Sequence, residues 1–142
     1  MKRYEFGEHT ADIIIRGIGD TIEEAFAATA EGMFAVMTDR ATIAPKETVA
    51  LSVESIDREA LLVTFLSKLI VMFEVDGYVF GDFVVTFTGP ASLTAVGRGE
   101  KFVRETHGHG ITVKGASYHM IRIEEGSGSS RGECMVQVVV DI

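Results

Sequence analysis

Acidic oxygens gather at two places far apart in this sequence. The first is Glu8-His9-Thr10-Ala11-Asp12, immediately before the β-branched run that begins at Ile13. Carboxylates at the entry to a strand can ligate a hard cation through oxygen. The same residues can also close a turn, with Thr10 or Asp12 bonding the local backbone. The second place is the C-terminus, where the Asp141 carboxylate neighbours that of the terminal Ile142. A cation would offset their repulsion, unless both simply sit in water. A strand running to the last residue points to an ordered end.

A third group is Lys114-Gly115-Ala116-Ser117-Tyr118-His119. Strand alternation puts Lys114, Ala116 and Tyr118 on one face and Gly115, Ser117 and His119 on the other. Lys114 there either meets a phosphate or a partner carboxylate, or is solvated. His119 reads as a packed, hydrogen-bonded strand residue in preference to a ligand. Other motifs carry less. His107-Gly108-His109 has two imidazoles in a loop but no further ligand nearby in sequence. Gly97-Arg98-Gly99 lacks the continuation and the following helix of a phosphate-binding loop. Cys134 has no histidine partner and reads as a buried strand thiol. Without a P-loop, a nucleophile elbow or a multi-ligand metal motif, the chain does not read as an independent hydrolase of nucleotides or phosphoesters.

The elements that must position these groups follow from periodicity. Ile22, Ala25, Phe26, Thr29, Ala30, Met33, Phe34 and Met37 recur at helical spacing, predicting a helix over about Thr21 to Met37. Thr21 and Glu24 have the spacing of a capping box. A second helix is predicted over about Arg58 to Val75, with Asp57 as N-cap and a broad apolar stripe from Leu61 to Phe73. Strands are expected at Ile13–Ile18, Val49–Ser55, Phe83–Thr88, Leu93–Gly99, Gly115–Ile123 and Cys134–Val140, with a short one at Tyr78–Gly81. The order is roughly β-α-β-α-β-β-β-β. Two helices cannot cover both faces of a large sheet, so the expected class is α+β: a two-layer sandwich with both helices packed on a mostly antiparallel sheet. A weak internal repeat of strand, helix and strands is visible. The loop from Glu124 to Gly132 is rich in Gly and Ser.

At 142 residues the chain is the size of one domain, and no linker divides it. Acidic residues outnumber basic ones by 21 to 13, for a net charge of −8, which disfavours direct nucleic-acid binding. One cysteine cannot make an intrachain disulfide, so a reducing compartment is the default. The most apolar stretch, Leu61 to Phe73, is too short and too interrupted to span a membrane, and the N-terminus lacks a signal-peptide core. The expectation is a soluble cytoplasmic protein.

Glu8-His9-Thr10-Ala11-Asp12, Leu61-Leu62-Val63, Lys114 to His119 and Val140-Asp141-Ile142 occur in the order seen in the archease family, which the chain resembles over essentially its whole length. It departs from the family in the small residues between Lys114 and Tyr118. The resemblance implies a pair of nested strand-helix-strand-strand modules in one domain, residues 1–142. It also implies an accessory protein of the RtcB-type RNA ligase of tRNA splicing. Such a protein promotes guanylylation and multiple turnover of the ligase, widens its nucleotide use and does not form the RNA bond itself. The alternative is a chaperone-like or structural cation-binding partner. By position, the resemblance makes Asp12 and Asp141 cation-binding acids and Ile142 a source of a main-chain oxygen. It makes Lys114 important for activation and includes His9 in the shared motif. It implies a divalent cation, Ca²⁺ or Mg²⁺ with calcium favoured, and hard oxygen ligands suit either.

Overall fold

The computed structural model describes residues 2–7, 12–108, 110–126 and 132–142. Helix α1 (Ile22–Met37) begins where Thr21 accepts the Glu24 amide on its side chain, at 3.1 Å, while the Glu24 carboxylate accepts the Asp20 amide. The first bond satisfies a donor that the opening helical turn would otherwise leave open, and the second fastens the residue before the cap. Helix α2 (Arg58–Val71) is capped by the Asp57 carboxylate, which accepts from Ala60 N–H at 2.8 Å. It ends earlier than its apolar stripe predicts, because a π turn (Met72–Asp76) follows and closes on Gly77 at φ 73°. That left-handed backbone is what glycine permits at low cost.

The strands are β1 (Arg3–Gly7), β2 (Asp12–Gly19), β3 (Glu47–Glu54), β4 (Tyr78–Gly89), β5 (Ser92–Lys101), β6 (Gly115–Glu124) and β7 (Cys134–Asp141). A one-turn helix α3 (Arg104–His107) precedes β6. The α+β class read from the sequence holds, with helices on antiparallel sheets. The strands divide into two sheets, ordered β1-β2-β7-β6 and β3-β5-β4. Strand β1 goes beyond the predicted set, and the segment from Tyr78 is the start of β4.

The topology is nested. β3, α2, β4 and β5 form a unit inserted between β2-α1 and β6-β7. The helices hold the two units together: α1 lies on β2 and β7 and also along β4, while α2 lies on β6 and β3. Helix α1 presses onto the β2 backbone at Gly17, where a Cβ would stand 2.0 Å from Thr29 Oγ1 and 2.1 Å from the Ala25 carbonyl oxygen. Phe34 of α1 sits edge-on to Phe73 and Phe80 and tilted against Phe83. Each such buried ring stabilises the fold by about 1.5–3 kcal/mol.

One polar group is sealed behind this core. His107 is buried and accepts the Val103 amide on Nδ1 at 2.8 Å, so its Nε2–H donates to Glu100 Oε2 at 2.7 Å. The Ala44 amide, His107 and Lys46 together hold the Glu100 carboxyl down at about 2, against the opposing effect of burial. In the window below the ordinary value of 4.5 the unfolded chain therefore binds the proton and the folded one does not. Stability from Glu100 should be present above that value and lost as pH falls toward about 2. Melting curves across that window check it: the gap between wild type and Glu100→Gln should close as pH falls, and a constant gap would contradict the assignment.

Candidate functional site

Strands β2 and β7 pair so that Asp12 lies directly opposite Asp141, although the two stand near opposite ends of the sequence. On the other flank of β7, Gly115 lies opposite the same Asp141. The Lys114 amide donates to the Asp141 carbonyl at 2.7 Å. Three of the residues singled out in the sequence therefore meet at one end of the four-stranded sheet. Pleat parity explains their direction. Ile13 and Ile15 of β2 and Val138 and Val140 of β7 belong to the core, so Asp12 and Asp141 share a face with Ile14 and Val139. Asp141, Lys114 and Ile142 are exposed and Asp12 is half-buried.

Like charges directly opposite each other across a strand pair are destabilising. A divalent cation or a cationic partner group relieves that cost, and carboxylate oxygens are the donors that Ca²⁺ and Mg²⁺ take. The donor set fits a cation that keeps much of its shell for water or a partner. Two acids stand in register on one face, and no group of three or more His, Cys, Asp or Glu forms among the described residues. Ile142 follows Asp141 directly. Nothing lies within 4 Å of where a Gly115 Cβ would stand, so the β6 flank of the pair is open. His9, with Glu8 and Thr10, lies outside the described residues. A cleft of about 400 Å³ between the start of α1 and β4, lined by Glu23, Glu24 and Val85 among others, contains neither acid.

Further along the same face the cross-strand rungs are Ile14 with Val139 and Arg16 with Gln137. Arg16 Nε–H donates to Gln137 Oε1 at 2.8 Å, and Gln137 Nε2 donates to the Met120 carbonyl at 2.8 Å. That last bond corrects the alternation expected for Lys114 to His119. The pairing of β6 with β7 is regular only to Ser117 and resumes at Arg122, so Tyr118 and His119 do not follow the strand's two faces. Arg16 and Gln137 were not among the sequence-derived candidates, since an isolated Arg or Gln in an apolar strand gives no signal of its own. The weaker motifs resolve as structure. His107 is the buried partner of Glu100, Gly97-Arg98-Gly99 lies within β5, and Cys134 is a buried strand thiol. His109 lies outside the described residues.

The sequence model of the archease protein family matches residues 4–142. The chain belongs to the archease family. A protein archease from Thermococcus gammatolerans is 42% identical over all of both chains. One from Methanosarcina mazei is 37% identical, covering 99% of this chain and 97% of the relative. The solution structure of Methanobacterium thermoautotrophicum protein 1598 superposes with a TM-score of 0.77 at 27% identity, covering 98% of each chain. The archease fold expected from the shared motifs is thus the fold observed. Among the described residues no helix is long and apolar enough to cross a membrane.

Proposed function

We propose that this archease-family chain is an accessory activator of the RtcB-type RNA ligase, promoting guanylate transfer from GTP to the ligase and its repeated turnover. A widened choice of nucleotide is part of the same reading. The observation that supports it is the convergence of Asp12, Asp141 and Lys114 on one open end of the sheet. In this reading the two carboxylates hold Ca²⁺ or Mg²⁺, with the Ile142 main-chain oxygen as a further donor. A divalent ion bound there supplies positive charge beside the nucleotide phosphates. Asp12 and Asp141 fix the position of that charge, and Lys114 donates to a phosphate or to a carboxylate of the ligase. The chain has no catalytic residue of its own here. The ligase makes the RNA bond, and both proteins act in the cytoplasm.

The test is multiple-turnover ligation by the cognate ligase with GTP and Mg²⁺, with and without this protein. Wild type should stimulate. Asp12→Ala, Asp141→Ala and Lys114→Ala should melt cooperatively yet fail to stimulate. Full stimulation by the folded variants would refute the site, and none by wild type would refute the partner. A second reading rests on the like-charged pair at a strand junction: a cation there serves to order the end of the sheet in a chaperone-like or structural partner. It expects Ca²⁺ or Mg²⁺ to raise the melting temperature of wild type but not of Asp12→Asn, while that variant still stimulates the ligase.

A further inference from the structure

Strand β6 contains an interruption that packing alone does not require. Between Ser117, opposite Val139, and Arg122, opposite Gln137, four residues of β6 (118–121) stand against the single Val138 of β7. Ile121 returns to the core, and the other three are thrown outward. Met120 adopts φ 57°, the one positive φ at a non-glycine among the described residues. A left-handed conformation at a long side chain is unfavourable and needs support from its surroundings. That support is the buried Gln137 amide, which donates to the Met120 carbonyl and is itself held by Arg16. The His119 amide is also tied, to Ser117 Oγ at 3.0 Å.

An ordinary solvent turn would place Gly or Asn at such a position and polar residues around it. This one presents Tyr118 at 57% exposure and Met120 at 46%, with His119 exposed between them. Bulges that re-aim side chains recur beside functional sites. Here the supporting Gln137 is two rungs along the same face of β7 from Asp141, a separation of about 13 Å at roughly 3.3 Å per residue.

We infer that the Tyr118–Met120 bulge is a docking hook that seats in an apolar pocket on a basic surface of a partner protein. This rests on the reading above, in which the partner is the ligase. A protein with a basic surface is favoured over RNA by charge, because the chain carries −8 overall. Tyrosine is enriched among the side chains that dominate protein interfaces, and methionine adapts to irregular apolar pockets. Holding them on a tied backbone lowers the ordering cost of binding.

The experiment titrates wild type, the double variant Tyr118→Ser/Met120→Ser, and Met120→Gly into the ligation assay, with direct binding to immobilised ligase in parallel. Met120→Gly keeps the bulge backbone while deleting one of its side chains, and both variants change exposed positions, so both should fold. For the double variant the half-saturating concentration and the Kd for the ligase should rise together by about tenfold or more, the scale of losing hot-spot side chains. Met120→Gly should give a smaller rise without a lower melting temperature. Asp12→Ala should instead lower the stimulation reached at saturation. Unchanged half-saturation and Kd in the double variant would overturn the hook while leaving the ligase reading intact. A wild type that neither binds nor stimulates the ligase would remove both. Wild-type binding to the RNA substrate alone, lost in the double variant, would overturn the assignment to a protein partner.

Discussion

Replacing Glu31 with alanine is expected to destabilise the protein by about 3 kcal/mol, the lower end of the cost of breaking a buried ion pair. For a domain of this size that is a fall in melting temperature of about 10 °C. Glu31 sits on α1 at 3% exposure and accepts three donors. Lys2 Nζ donates to Oε2, the Phe83 amide donates to the same oxygen at 3.0 Å, and Arg40 Nη2 donates to Oε1 at 3.1 Å. The carboxylate thus joins the residue preceding β1, the turn after α1 and the outer edge of β4, buried at Phe83, which belong to different units of the nested fold. Burial pushes the Glu31 carboxyl above its ordinary value, against the opposing pull of Lys2, the Phe83 amide and Arg40. Burial pulls Lys2 down, but Glu31 and Asp82 outweigh it and hold the ammonium above the usual lysine value. The two directions conflict over the charge of the pair. Three converging donors decide it, since they suit an ionised carboxylate. Removal leaves the Phe83 amide without its acceptor, while Lys2 and Arg40 keep partial access to water, which limits the loss. Glu31→Gln keeps an acceptor for Phe83 and should lose roughly half as much, within the range for a hydrogen bond to a charged group. Urea unfolding of the three proteins measures this; an alanine variant as stable as wild type would show that the network contributes nothing.

What the sequence reveals and what it hides divide along physical lines. Helix starts were legible because a cap is a local event: Thr21 with Glu24, and Asp57, act within three residues. The buried faces of β3 and β4 were legible too, because a period of two marks which side is buried. Strand partners were not, since alternation at Leu51 and Val53 does not say which sheet they join. The acids at Asp12 and Asp141 could be picked out as chemistry, but only the β2–β7 register makes them neighbours. Strand β1 is an edge with Arg3, Glu5 and Phe6 exposed, so burial leaves little imprint on its composition. The bulge is the least legible of all. Tyr, His and Met are acceptable strand residues, and the interruption depends on a distant glutamine side chain.

His107→Ala is expected to cost about 3–4 kcal/mol, comparable to truncating a buried aromatic residue, and its effect should reach the candidate site. The imidazole stacks on Phe102 with centroids 5.8 Å apart, and its removal leaves a void where a ring stood. It also leaves the Val103 amide without its acceptor and takes one donor from Glu100. The residue fastens more than itself. Its carbonyl accepts the Asp39 amide at 2.8 Å, and the chain beyond it is tied to the end of α1, with Gly110 donating to Met37 and Ile111 to Val36, both at 3.0 Å. Val113 then enters the core, and Lys114 makes its bond to Asp141. His107 is thus the first anchor of the segment that delivers Lys114 to the acid pair. The expected signature is local as well as global. In hydrogen exchange, the amides of Gly110, Ile111 and Lys114 should lose protection under conditions where those of β3 and β5 keep theirs. His107→Gln, whose amide can donate to Glu100 and accept from Val103, should restore part of both. Protection lost uniformly across the molecule would mean that His107 supports the core as a whole and does not specifically hold the approach to Lys114.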